Sequence, residues 1–158
     1  MKQGISVRNY HPEDVEALAN IYFNTIHRIN IEHYTEEQVD VWAPRSSLET
    51  EGWAKKFSQT NPIIAVVGDK IVGFAEFEPN GHIDCFYCHH EWIGKGVGSA
   101  LMSEILTRAK SSNIDRIFSE VSITARPFFE KQGFVVLAEQ KVVLKGIELT
   151  NFKMERKI

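Results

Sequence analysis

The amino-acid sequence predicts a single-domain α/β (α+β) fold, with a mixed, mostly antiparallel sheet of about seven strands and helices on both faces. Two observations carry this prediction. Strand and helix patterns follow one another in the order βααα-βββ-α-β-α-ββ, and such an order places helices against both faces of a mixed sheet. The 158 residues contain no internal repeat, low-complexity segment or linker composition, so one domain spanning 1–158 is the economical interpretation.

The N-terminal part is predicted to hold one strand and three helical segments. Apolar and polar side chains alternate over residues 5–9, which favours a strand. After Pro12, apolar side chains recur at three- and four-residue steps typical of a helix: Val15, Leu18, Ala19, Tyr22 and Ile26. Thr35-Glu36-Glu37-Gln38 resembles a capping box. Residues 48–57 carry two aromatic side chains four positions apart, which indicates the third helical segment.

Strand patterns dominate the rest of the chain. Three strands are expected at 63–67, 71–77 and 82–88, separated by the turns Gly68-Asp69 and Pro79-Asn80-Gly81. A helical pattern follows through Leu101, Ile105 and Ala109. The remaining elements are a strand at 116–121, a short helix at 124–131 ended by Gly133, and a hairpin of 134–144 and 147–157.

Composition excludes several classes of partner and location. The formal net charge is −3 and no long run of Lys and Arg occurs, which disfavours nucleic acid and anionic membranes as partners. The N-terminus has no apolar signal core, and no apolar stretch is long enough to span a bilayer. The two cysteines, Cys85 and Cys88, make no disulfide framework. We therefore expect a soluble cytoplasmic protein.

Three alternating glycines are the most informative local pattern. Gly94, Gly96 and Gly98 directly precede a helical pattern, so several amide groups can converge on one anion at the positive end of a helix dipole. A phosphate or pyrophosphate is the natural guest. A Walker A loop is excluded because Lys95 lies between glycines, and a dinucleotide fold is disfavoured because the loop follows about four strands. A glycine-rich turn without a ligand is the alternative.

This loop and a second motif resemble the GNAT superfamily of acyl-CoA N-acyltransferases, and the similar order of elements extends from about residue 5 to the C-terminus. The family signature of Arg or Gln, two residues, Gly, one residue and Gly or Ala reads here Ile93-Gly94-Lys95-Gly96-Val97-Gly98. The second motif runs from Ser122 to Glu130-Lys131-Gln132-Gly133-Phe134. Ile93 replaces the Arg or Gln, Ser122 stands where Asn is common, and Phe129 stands where Tyr is common.

The resemblance implies a splay between the fourth and fifth strands and acetyl-CoA as co-substrate, without a metal. It implies transfer of an acetyl group to an amine of a small molecule or peptide through a ternary complex, with a homodimer as an alternative to a monomer. The implied cofactor contacts are Phe86, Tyr87 and Cys88 on the strand, Ile93, Gly94, Lys95, Gly96, Val97, Gly98 and Ser99 in the loop, and Ser122 and Phe129. Because the family's Tyr often protonates the departing thiolate, Phe129 leaves the proton donor open.

His82 and Asp84 are the candidate general bases. Residues two apart on a strand share a face, so we expect both to face the same side as Phe86 and Cys88, and GNAT members often place a base at this level. The alternatives are a structural role for both residues and deprotonation by ordered water. Cys88 is a candidate nucleophile, but direct transfer is favoured because His89 and His90 follow it directly in sequence, and adjacent residues of a strand face opposite ways.

Other interpretations compete with the acyltransferase. Residues 85–89 match the haem attachment pattern C-x-x-C-H, but the match lies in an apolar strand. A metal site can be drawn from His82, Cys85, Cys88, His89 and His90, although strand spacing points the two thiols to opposite faces. A CoA-binding sensor that has lost transfer is the third alternative. The acceptor wall is expected among aromatic side chains of the helical region: Tyr22, His27, Tyr34, Trp42 and Trp53.

Overall fold

The structure is a computed structural model that describes residues 4–158. Seven strands form two antiparallel sheets. The first sheet has the order β1 (Ser6–Asn9), β2 (Ile63–Val67), β3 (Lys70–Phe77) and β4 (Ile83–Cys88). The second has the order β5 (Arg116–Ser122), β7 (Ile147–Lys157) and β6 (Val135–Leu144). These strands and the helices around them confirm the predicted fold class.

Five α-helices accompany the strands: α1 (Val15–Arg28), α2 (Glu36–Trp42), α3 (Glu51–Thr60), α4 (Val97–Ser111) and α5 (Arg126–Lys131). The predicted capping box at the start of α2 is confirmed, because the N–H of Gln38 donates to Thr35 Oγ1 and the N–H of Thr35 donates to Gln38 Oε1. Helix α3 begins three residues later than predicted, since Leu48 ends a separate 3-10 turn. Within residues 4–158, no helix is both long and apolar enough to cross a membrane.

The helices cover both faces of the first sheet. On one face, Leu101, Met102 and Ile105 of α4 pack with Val72 and Ala75 of β3. On the other face, the helices α1 and α3 contribute Leu18 and Phe57, which pack with Ile64 and Phe74. Since β2 and β3 are covered on both sides, their centres are apolar at successive positions, as in any strand with two buried faces.

A third cluster fixes α2 against the second sheet. Val39 of α2, Tyr34 and Leu149 of β7 are buried together. The hydroxyl of Tyr34 donates to the carbonyl of Thr150 (2.6 Å) and accepts from the N–H of Ile123 (2.9 Å). The N-terminal helices are thereby connected to both sheets, which positions the end of α1 beside the gap between β4 and β5.

Candidate active site

The two sheets meet at β4 and β5, which lie side by side only where they begin. A parallel bridge joins His82 to Phe118, and the N–H of Phe118 donates to the carbonyl of Gly81 (3.1 Å). One residue further, Ser119 Oγ donates to the carbonyl of Ile83 (2.7 Å). Beyond these ties, β4 pairs with β3 and β5 pairs with β7 in the part of the chain that the structure describes. The two strands therefore diverge into a V-shaped cleft.

Glycine is required at the apex of this cleft. Gly81 has a φ of +94°, and a Cβ at this position would lie 2.2 Å from the carbonyl oxygen of Arg116. No side chain can be accommodated at such a distance, and the left-handed backbone is also unfavourable for other residues. Gly81 therefore permits the close approach from which β4 and β5 diverge.

The cleft has a volume of about 480 Å³ and is lined by four parts of the chain. Strand β4 contributes Phe86, Tyr87 and Cys88, and the end of α1 with the residues after it contributes Thr25, Ile29 and Asn30. The glycine loop and the start of α4 contribute Trp92, Ile93, Gly94, Gly96, Gly98 and Ser99. The segment from the end of β5 through α5 contributes Ser122, Thr124, Ala125, Pro127, Phe128, Phe129 and Lys131.

The glycine loop can hold a phosphate through its backbone. Gly94 (φ +75°) and Gly96 (φ +94°) adopt left-handed conformations, and a Cβ on Gly94 would meet no atom within 4 Å. Helix α4 begins directly after Gly96, and its first intrahelical hydrogen bond is donated by Ala100. The N–H groups of residues 97–99 therefore have no intrahelical acceptor and lie at the positive end of the helix dipole. This arrangement fits a pyrophosphate.

Ten of the twelve predicted cofactor residues line the cleft, and two do not. The side chain of Val97 is buried in the core against Gly73, and the Nζ of Lys95 lies 5.1 Å from the ring centre of Trp92. Both can contribute only backbone groups or peripheral charge. Sequence reasoning missed Thr25, Ile29 and Asn30, because their place in the cleft depends on how α1 packs. Thr124 and Phe128 lie within the second motif, which was the available signal for them.

Comparison with known proteins decides the family of this chain. Residues 30–156 match the model of the acetyltransferase (GNAT) domain. The chain belongs to the GNAT family. It is an acyl-CoA-dependent N-acetyltransferase, like the GNAT members to which it is similar.

Individual relatives agree with this assignment. YafP of Escherichia coli K12, an uncharacterized N-acetyltransferase, is 30% identical over 153 residues that span 97% of this chain and 96% of that protein. A GCN5-related N-acetyltransferase structure from Rhodopseudomonas palustris (aminotransferase, class II) superposes with a TM-score of 0.92 at 28% identity, over 100% of this chain and 98% of that one. PaiA N-acetyltransferase of Thermoplasma acidophilum, solved with coenzyme A, has a TM-score of 0.75 at 20% identity, over 98% and 99%.

The GNAT position that often holds a Tyr is here an apolar, closed site. Phe129 is buried and packs against Phe86 (ring centres 5.3 Å apart) and Phe134 (4.9 Å). The ring supports the floor of the cleft but has no proton to donate. Stabilisation of a leaving thiolate must therefore come from another group.

The two cysteines lie on opposite faces of β4. Cys88 packs among apolar residues on the α4 side, whereas Cys85 packs on the side of α1 and α3. Burial raises the pKa of the Cys88 thiol to about 12, and burial is also the main cause of the raised pKa of Cys85. Neither thiol is a ready nucleophile at neutral pH, because the nucleophilic form is the thiolate.

The prediction that Asp84 shares a face with Phe86 and Cys88 was wrong. Ile83 and Phe86 both pack on the α4 side although they are three positions apart, and the pairing of β3 with β4 shifts register between Ala75 and Phe77. This irregularity breaks the strict alternation of a strand. Asp84 instead faces α3, where its Oδ2 lies 2.9 Å from Lys56 Nζ.

Lys56 connects Asp84 to a buried carboxylate. Lys56 Nζ lies 2.6 Å from Oε1 of Glu76, whose side chain is fully buried, and Thr60 Oγ1 donates to the other oxygen of Glu76. Burial opposes the charge on Lys56, but the neighbouring Cys85, Glu76 and Asp84 outweigh it and raise the pKa of this amine. Asp84 is therefore the half-exposed outer member of a charged cluster on the α3 side.

His82 lies at the apex and precedes β4. Its Nδ1 bonds to Glu78, in the turn after β3, and its Nε2 lies 2.8 Å from Glu120 of β5. Burial opposes protonation, but the hydrogen bonds to Glu78 and Glu120 outweigh it and raise the pKa of His82. Each ring nitrogen of His82 is held by a carboxylate, so neither is free to accept a proton from a substrate. This geometry favours a structural link between the β3–β4 turn and β5, here called the clasp, over a general base.

The clasp makes stability depend on pH in a defined direction. The surrounding charged groups are Glu78, Glu120 and, on the neighbouring ring of Phe118, Arg116. Folding raises the pKa of His82. The contribution of His82 to stability is therefore complete below its pKa in the unfolded chain, about 6.5, and is lost as the pH rises through its pKa in the folded protein. His82→Gln should therefore lower the free energy of unfolding by up to about 1 kcal/mol more at pH 5.5 than at pH 9.

Urea denaturation at the two pH values measures this difference. The exposed His11, whose Nδ1 lies 3.6 Å from Glu13, provides the matched control, and His11→Gln should change stability little at either pH. An equal loss for His82→Gln at both pH values would contradict the clasp.

Proposed function

We propose that this GNAT protein transfers the acetyl group of acetyl-CoA directly to an amine of a small molecule or peptide. The observation that carries the proposal is a continuous path along the cleft. The edge of β4 that faces β5 leads from Phe86 to Cys88 and then to the loop where Gly94 and Gly96 open α4. The coenzyme A complex of PaiA, which shares this fold, supports the same occupant.

Each part of this path fits one part of the co-substrate. The free amides at residues 97–99 would hold the pyrophosphate. The backbone of Phe86 and Tyr87 on the open edge would pair with the amide groups of the pantetheine arm, as in β-augmentation. The carbonyl of Cys88 already accepts a hydrogen bond from Thr25 Oγ1 (2.8 Å), so α1 orients this edge. When bound, acetyl-CoA supplies an activated thioester.

Transfer is proposed to be direct. Desolvation raises the pKa of the half-buried Cys88 thiol to about 12, so a covalent acetyl-cysteine intermediate lacks its thiolate nucleophile. The amine nitrogen would form the new C–N bond with the thioester carbon, the C–S bond would break, and the products would be the acetylated amine and CoA. The proton of the amine must be accepted by a base, directly or through water.

Asp84 is the proposed base. Its Oδ2 forms an ion pair with Lys56, and its Oδ1 accepts no hydrogen bond from any group within residues 4–158. With 43% of its side chain exposed, Asp84 can accept a proton through water on the α3 side, since it does not line the cleft itself. His82 is held by two carboxylates, so it does not act with Asp84 as a base. Its proposed role is to fix the apex of the cleft.

Loss of the phosphate cradle tests the cofactor assignment. Gly96 holds a left-handed backbone (φ +94°) that valine disfavours. Gly96→Val should therefore distort the loop that presents the amides and weaken CoA binding by on the order of 100-fold in titration calorimetry. Gly146→Val is the matched control, because Gly146 (φ +79°) is also left-handed but lies in the β6–β7 turn with no atom near its Cβ. Equal CoA affinity of a folded Gly96→Val variant and the parent would refute the site.

Removal of the thiol tests direct transfer. Cys88→Ala should keep turnover within roughly threefold of the parent, because Cys88 serves as a small apolar residue. Neither protein should carry an acetyl group after incubation with acetyl-CoA, as judged by intact mass and peptide mapping. Cys85→Ala controls for the loss of a buried thiol. An acetylated peptide containing Cys88 in the quenched parent enzyme would establish a two-step route instead.

Removal of the carboxylate tests the base. Asp84→Asn should lower kcat/KM for an amine identified by screening by about 10² to 10⁴, and it should move the acidic limb of the pH profile while CoA affinity stays the same. His82→Gln, the comparison variant, should keep the position of that limb. An unchanged profile in Asp84→Asn would assign the proton transfer to water.

A further inference from the structure

The hydroxyl of Ser122 has a proton that no group within residues 4–158 accepts. The N–H of Ala125 and the side-chain amide of Asn30 both donate to Ser122 Oγ, at 3.0 Å and 3.4 Å. A serine hydroxyl has two acceptor lone pairs and one proton, so both lone pairs are occupied. Among residues 4–158, Ser122 Oγ donates to no atom. The hydroxyl is thus held in place while its proton remains available to a ligand, and Ser122 lines the cleft.

Ser122 lies at the inner end of the cleft, the end nearest the apex. Ser119 binds Ile83 at the apex, and Ser122 lies three residues further along β5, about 10 Å away. The parallel strand reaches Phe86 after the same three residues. Since the phosphate cradle lies beyond Cys88 at the open end, the portion of CoA that reaches the level of Phe86 is the sulfur end of its pantetheine arm.

Other hydroxyls of the cleft are committed or lie elsewhere. Thr25 donates to the carbonyl of Cys88. Ser99 belongs to the first turn of α4, at the phosphate end. Thr124 Oγ1 is bonded to the exposed His33 (2.9 Å). Ser122 is therefore the best placed donor for the inner end of the cleft.

The charged and aromatic residues of the cleft lie elsewhere. The ring of Tyr87 packs on the α1 side of β4, against Tyr22 and Phe74. Lys131 is the last residue of α5, nine positions beyond Ser122. Phe129, which occupies the position of the common GNAT tyrosine, has no proton to donate.

We propose that Ser122 is a catalytic residue whose hydroxyl donates a hydrogen bond to the sulfur of CoA and stabilises the departing thiolate. The inference rests on the proposed function and adds the group that compensates for Phe129. When the C–S bond breaks, its electron pair stays on sulfur, and Ser122 keeps its own proton. A fixed donor placed where negative charge develops is an effective stabiliser. Asn30 and Ala125 act as positioning groups, because they fix the direction of the hydroxyl.

The titration of bound CoA tests this inference without turnover. The thiolate absorbs in the ultraviolet, and the complex with CoA lacking sulfur (desulfo-CoA) supplies the baseline for the protein. A hydrogen bond to the thiolate favours the charged form, so the midpoint for bound CoA should be about one pH unit lower in the parent than in Ser122→Ala. Ser122→Thr, which keeps a hydroxyl, should titrate like the parent. Ser122→Ala should also lower kcat by on the order of 10- to 100-fold.

A second variant separates this role from a structural one. Ser122→Val has the shape of Ser122→Thr but no hydroxyl, so it should show the same raised midpoint as Ser122→Ala. The affinity for desulfo-CoA should be the same in the parent and in all variants. Equal midpoints for the parent and the folded Ala and Val variants would overturn the role of Ser122. Failure of the parent to bind CoA would instead overturn the proposed function.

Discussion

The divergence of β4 from β5 is the constraint on which the rest of the site depends. The strands are tied at Gly81, Ile83 and Ser119, and the carbonyl of Arg116 approaches Gly81 too closely for any side chain. Further along, β4 and β5 do not pair with each other within residues 4–158, so backbone groups of β4 face the cleft without a strand partner. A strand-like ligand, such as the proposed pantetheine arm, can pair with groups left open in this way. The fold thus pre-forms a binding edge by leaving its central pair of strands incomplete.

The ends of the cleft are specialised by the elements that close them. At the open end, the left-handed Gly94 and Gly96 and the first turn of α4 provide backbone donors, so this end depends little on side chains. Loss of the family's polar residue at Ile93 is tolerable for that reason. At the inner end, the aromatic packing around Phe129 excludes water, while Ser122 and Asn30 supply the polar groups. A few fixed donors act more strongly in such surroundings than they would in water.

Charge is separated from this apolar interior by the sheet. Glu76 is fully buried, and its carboxylate is satisfied by Lys56 and Thr60. A buried carboxylate without partners would be very costly, whereas one that is paired and hydrogen-bonded, like that of Glu76, can be retained. The cluster holds Asp84 on the α3 side, and His82 holds the apex from a different direction through Glu78 and Glu120. His82 and Asp84, two positions apart in the sequence, therefore serve two separate networks.

Local sequence patterns determined much of this protein. The three- and four-residue steps of α1, the capping box of Thr35 and the β6–β7 hairpin are encoded by neighbouring residues, and the alternating glycines indicated the phosphate cradle because left-handed backbone is a local property. Only the tertiary structure decided the face of Asp84, since the irregularity opposite it depends on how β3 pairs with β4. The tertiary structure also brings Thr25 and Asn30 to the cleft. Thr25 is 63 positions in sequence from its hydrogen-bond partner Cys88, and Asn30 is 92 positions from its partner Ser122. Periodicity records which face of an element is apolar, but not which distant element will meet it.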